Sequence, residues 1–135
     1  MTTSRTKTPL PLKGVRVLSL SLNLPGPAAV MRCRKLGATC IKLEPPPPAG
    51  AAPGVSGDPM GMYNRSAYDV MHHGVRIVVA DLKTEKGQND LHRELSKTDI
   101  LMTSFRPSAL TKLGLEWKKL HKLYPSLSQI SIVGA

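Results

Sequence analysis

The stretch GVRVLSLSLNLPGPAAVMRCRKLGATCIKLE (Gly14–Glu44) decides the fold class. GVRVLSLSL (Gly14–Leu22) is β-branched and apolar, the composition of a buried strand. NLPGP (Asn23–Pro27) reads as a turn. After it, Ala28, Val30, Met31 and Leu36 mix with Arg32, Arg34 and Lys35 as on a short helix, and Gly37 suits its carboxyl cap. ATCIKLE (Ala38–Glu44) is again a strand. Two strands joined through a helix run parallel, so the stretch is a βαβ unit.

The same alternation continues outward. PPPPAGAAPGVSGDPMG (Pro45–Gly61) excludes helix and central strand and predicts a long loop. MYNRSAYDVMHH (Met62–His73) is expected to be a short helix that carries Tyr63, Tyr68 and Met71 towards the core. VRIVVADLK (Val75–Lys83) returns to strand character. TEKGQNDLHRELSK (Thr84–Lys97) opens on a capping threonine and sets Leu91 and Leu95 one turn apart, so it reads as an amphipathic helix. DILMTSF (Asp99–Phe105) is a strand, RPSALTKLG (Arg106–Gly114) and LEWKKLHKLYP (Leu115–Pro125) are short helices, and LSQISIVGA (Leu127–Ala135) is a final strand. The pattern predicts an α/β fold with a mainly parallel sheet flanked by helices.

The 135 residues make one domain, preceded over residues 1–10 by what reads as a flexible basic arm. A formal net charge of +10 points to an anionic partner. Much of that charge is scattered (Arg32, Arg34, Lys35, Lys42, Lys112, Lys118, Lys119, Lys122) and reads as a solvated face. With one Phe and one Trp there is no stacking platform, and no recognition helix is evident, so specific nucleic-acid binding is not expected. No apolar run is long enough to span a bilayer and no secretion signal is apparent; no membrane role is expected, and a cytoplasmic location is. Cys33 and Cys40 form no metal-ligand spacing, and the adjacent His72 and His73 diverge, so no metal site is expected. Most of the few carboxylates fall at caps, helix faces or strand ends, where structure explains them. A dinucleotide fingerprint, a phosphate-binding P-loop and a nucleophile elbow are all missing.

TSFRPSALTKLGL (Thr103–Leu115) stands out because a strand there delivers Arg106 to the first turn of a helix. Pro107 suits the first helical position, and Ser104 is a candidate cap. A guanidinium beside the positive end of a helix dipole is suited to an anion.

Six motifs in order carry more: PLKGVRVLSLS (Pro11–Ser21), PGP (Pro25–Pro27), LGATCIKLEPP (Leu36–Pro46), GVRIVVADLKTEKG (Gly74–Gly87), SFRPSALTKLGL (Ser104–Leu115) and YPSLSQISIVG (Tyr124–Gly134). Together they resemble the start of the family III CoA-transferases, which include formyl-CoA and carnitine-CoA transferases and the related α-methylacyl-CoA racemases. The resemblance covers nearly the whole chain from Pro11. It implies a Rossmann-like amino-terminal region (residues 11–135) of a longer, interlocked homodimeric enzyme. Coenzyme A is then the bound group, and an acyl-CoA and a small carboxylic acid are the partners. The family's catalytic aspartate is expected beyond the last motif, so this chain is expected to hold no catalytic residue and to be inactive alone. By the same resemblance, Lys83 and Arg106 sit where the family contacts the nucleotide part of CoA, Arg76 and Lys112 occupy further basic positions, and Asn23 and Leu24 lie in the turn that approaches the thioester.

The chain departs from the family pattern where a ligand is expected. Ser19 replaces an aspartate, Pro25 stiffens the first turn, and His72-His73-Gly74-Val75 has lost two positive charges. These changes keep a second reading open, a diverged non-catalytic binding or assembly module of the same fold.

Overall fold

The computed structural model describes residues 10–133, so the arm expected over residues 1–10 lies outside the described residues except for Leu10. Five strands form one sheet: β1 (Arg16–Ser19), β2 (Thr39–Glu44), β3 (Arg76–Val79), β4 (Ile100–Thr103) and β5 (Ser128–Ser131). Their order is β3-β2-β1-β4-β5, and every pair is parallel. β1 is central, with Val17 opposite Cys40 on one side and Ile100 on the other. The chain first builds outward from β1 to β3, then crosses back to β4. Between β1 and β4 the winding therefore reverses, and the carboxyl ends of the strands open a crevice there.

Among the described residues there are six helices: α1 (Pro25–Lys35), α2 (Pro59–Tyr63), α3 (Arg65–His72), α4 (Glu85–Leu95), α5 (Pro107–Lys112) and α6 (Trp117–Leu123). Successive strand residues face opposite sides. Leu18, Leu20, Ile41, Leu43 and Leu101 accordingly pack on Leu91 and Leu95 of α4 and on Leu120 of α6. Val17, Cys40 and Met102 pack on Val30 of α1. Met60, Tyr68 and Met71 join α2 and α3 to the outside of α1. Both faces are covered at the centre of the sheet, which is why β1 and β4 read as apolar runs, whereas the edge strand β5 is largely exposed.

Five expectations need correction. Helix α1 begins at Pro25, inside the expected turn, because a proline at the first helical position gives up no bond. The expected loop ends early, since Pro59–Tyr63 is helical under an Asp58 cap. Asn64 then splits the single expected helix, its side chain accepting from the Ala67 N–H at 3.2 Å to start α3. Tyr63 ends on the outer side of that break and is exposed, whereas Tyr68 and Met71 are buried as expected. Ser104 caps nothing: the cap residue of α5 is Arg106, with no side-chain bond. Thr84 does cap α4, accepting from the Gly87 N–H at 3.0 Å.

Candidate functional site

The carboxyl edge of the sheet holds two adjoining concavities. A small pocket of about 160 Å3 is walled by Leu22, Leu43, Ala80, Phe105 and Leu113, residues that follow or end β1, β2, β3 and β4 or close α5. Beside it lies an open cleft of about 710 Å3 lined by Lys83, Gln88, Lys112 and Lys119. Leu82, Lys83 and Leu113 line both, so an apolar hole passes directly into a basic trough. None of the three lysines is in an ion pair among the described residues. Gln88 is held in place, its amide donating to the Leu82 carbonyl at 2.7 Å and to the Leu113 carbonyl at 3.3 Å. The combination suits a flat apolar group in the pocket and a phosphorylated portion in the trough.

The six sequence-derived residues separate in space. Lys83 and Lys112 both line the open cleft. Arg106 is exposed at the carboxyl end of β4, directly after Phe105 of the pocket. Leu24 is 56% exposed at the start of α1. Asn23 sits in the turn after β1 with φ 67°, a left-handed conformation that asparagine tolerates better than most residues. Arg76 is not with the others. It opens β3, at the amino edge of the sheet, and pairs with Glu94 of α4 at 3.0 Å.

What holds the Asn23 turn is a buried polar cluster that the sequence reading dispersed. Lys42 was expected on a solvated face, yet it is 1% exposed. Its Nζ pairs with Asp58 and lies 3.0 Å from Glu44 Oε2 and 2.7 Å from His72 Nε2. Asp58 Oδ1 accepts from the Asn23 N–H at 2.9 Å and the Met60 N–H at 3.0 Å. Glu44 accepts from the Ser56 hydroxyl at 2.9 Å and the Tyr68 hydroxyl at 2.5 Å. The His72 Nδ1 lies 2.6 Å from the Tyr68 carbonyl, which can only accept, so Nδ1 carries the proton and Nε2 receives Lys42. Burial, and after it the neighbouring Lys42 charge, lowers the His72 pKa and keeps the ring neutral. Burial and the Glu44 bond push the Tyr68 hydroxyl well up.

Glu44, Asp58 and His72 bring ligand atoms within 4.8 Å of one another, a spacing that fits a metal ion. The Lys42 ammonium stands between them and already supplies the cation they would bind. The cluster is therefore a brace: it ties β2, the proline-rich loop and α3 to the turn after β1. Gly26 fits the same junction tightly, since a Cβ there would lie 2.0 Å from Ser21 Cβ.

The sequence reading missed Gln88 and Phe105 as lining residues and treated Lys119 as solvated surface. A usable signal was the Lys42–Glu44 spacing, because residues two apart on a strand share a face. Inside a strand covered on both sides, two charges on one face must be paired.

A family model described as CoA-transferase family III matches residues 12–134. The chain is 34% identical over 138 aligned positions to a succinyl-CoA–D-citramalate CoA-transferase of Chloroflexus aurantiacus, covering 97% of this chain and 32% of that protein. It is 36% identical over 124 positions to a cinnamoyl-CoA:phenyllactate CoA-transferase of Clostridium sporogenes, covering 90% of this chain and 30% of the relative. Among solved structures, a CAIB/BAIF family protein from Brucella suis superimposes with a TM-score of 0.77 at 28% identity, over 92% of this chain and 33% of that one. The chain thus spans about a third of the length of the relatives it matches. It belongs to CoA-transferase family III.

Proposed function

We propose that this chain forms the CoA-binding amino-terminal part of an enzyme that moves CoA between an acyl-CoA and a carboxylic acid. The observation that carries the reading is the junction of an apolar pocket with the Lys83–Lys112–Lys119 trough at the winding reversal of a parallel sheet. Adenine is assigned to the pocket, where Phe105 and Leu43 offer apolar walls, and the phosphates to the trough. Arg106 stands at the rim to meet a further phosphate oxygen, and the Asn23–Leu24 turn faces the thioester end. The names of the relatives favour transfer over racemisation.

In this reading the chain's own residues bind and orient. Attack on the thioester carbonyl falls to a carboxylate outside the six motifs, and the Lys42–Asp58 brace fixes the turn against which the thioester rests. The partners are an acyl-CoA and a carboxylate, and the working unit is a homodimer of the longer protein.

Calorimetric titration of CoA tests this. Lys83→Ala is expected to weaken binding about tenfold, the worth of one charge-assisted contact. Unchanged affinity in a Lys83→Ala/Lys112→Ala double variant would overturn the assignment. CoA binding with no transfer by the longer protein would favour the non-catalytic module, for which the stiff Pro25-Gly26-Pro27 start of α1 is the supporting observation.

A further inference from the structure

At the opposite edge of the sheet, a cavity of about 400 Å3 is lined by Arg16, Arg34 and Arg76 and by Ala38, Cys40 and Gly74. Arg16 opens β1, Arg76 opens β3, and Arg34 lies in the last turn of α1. The nitrogens are not arranged as surface arginines usually are. The Nε atoms of Arg16 and Arg34 are both buried, and neither has a hydrogen-bond partner. A buried N–H without an acceptor costs on the order of 1–3 kcal/mol, more for a charged group, so such pairs are seldom left unmet.

Room for Arg34 is built in. Gly74 has φ +79°, and a Cβ there would lie 2.9 Å from Arg34 Nε and Nη1. The carboxylates nearby are already engaged. Glu94 is bound to Arg76, and Asp99 Oδ2 accepts the Arg16 backbone N–H at 2.8 Å. Neither Arg16 nor Arg34 is in an ion pair among the described residues. The Cys40 thiol adds no negative charge, because burial pushes its pKa up to about 11.

We infer that this cavity binds a phosphate group, at a site separate from the crevice on the carboxyl edge. Two arginines without ion-pair partners, brought to one cavity from different elements, suit a tetrahedral oxyanion, whose oxygens diverge, better than a planar carboxylate. The volume leaves space beyond the phosphate for a small organic group, so the ligand class is a phosphate monoester.

The experiment is calorimetric titration of inorganic phosphate into the protein against chloride at matched ionic strength. One saturable site is expected. Arg34→Gln and Arg16→Gln should each weaken it at least about tenfold, as the loss of one charged hydrogen bond does. Arg34→Lys keeps the charge beside the α1 carbonyl end but loses the fork, and it should also weaken binding; it decides the matter if circular dichroism shows a glutamine variant unfolded. Lys83→Ala, on the other edge, should bind phosphate unchanged. Absence of saturable heat, wild-type affinity in Arg34→Lys, or loss of binding in Lys83→Ala would each overturn the inference. The last outcome would place phosphate in the CoA crevice and leave that reading standing.

Discussion

Lys42 lies within β2 and Lys83 follows β3, and the two have opposite fates. Lys42 is enclosed and met by Asp58, Glu44 and His72, while Lys83 is exposed and has no ion-pair partner among the described residues. An enclosed charge must be fully satisfied or the fold fails, so its partners are built in. A charge left open on a concave wall costs little when alone and remains available to a ligand. Partnering, more than charge, separates the residues that hold this site from those that serve it.

Asp58→Ala is the severest way to break the contrast. It takes one of two carboxylates from the buried Lys42 and the acceptor from two backbone N–H groups, and a loss of about 3–5 kcal/mol is expected in urea unfolding. Gly26→Ala comes next, since its Cβ would collide with Ser21 where α1 meets β1; about 1–3 kcal/mol is expected from the same measurement. Thr84→Ala removes the cap of α4 and should cost about 1 kcal/mol, again in urea. Lys83→Ala should move unfolding by no more than about 0.5 kcal/mol while it weakens CoA binding, and a larger loss of stability would erase the distinction drawn from Lys42.

The pH effect is the smallest. The folded-state pKa of His72 lies below its ordinary value, so the unfolded chain binds the proton more readily. Its contribution to stability is fully present above about pH 6.5 and is lost as pH falls towards the folded value. His92, lowered by burial and then by Lys119, acts in the same sense. Thermal unfolding midpoints should therefore drop on acidification from pH 7.5 to 5.5, and His72→Gln should flatten part of that slope.

Where each residue's setting depends on its own neighbours in sequence, the sequence was readable. The apolar runs gave the five strands and their parallel sense, and Thr84 announced its cap. Lys42 was not readable in the same way, because its partner Asp58 lies across a proline-rich loop whose path no local pattern specifies. Arg76 was placed by motif likeness to a ligand site, although it opens its strand. In a parallel sheet, openings of strands lie on the edge away from the crevice, so direction along the strand carried the missing information. The inner polarity of the cluster was hidden for a further reason: Glu44, Ser56 and Tyr68 share one network from three separate elements.

The central position of β1 has a consequence for how the molecule is made. β1 gains one neighbour, β2, across a short helix, but the other, β4, only after some eighty residues have passed, with Val17 meeting Ile100. The β3-β2-β1 half can pair from contacts close in sequence, whereas closing β1 against β4 spends the loop entropy of the whole intervening chain. During synthesis one flank of the central strand thus stays bare until β4 emerges, and that interval is when this sheet is most exposed to pairing with another chain.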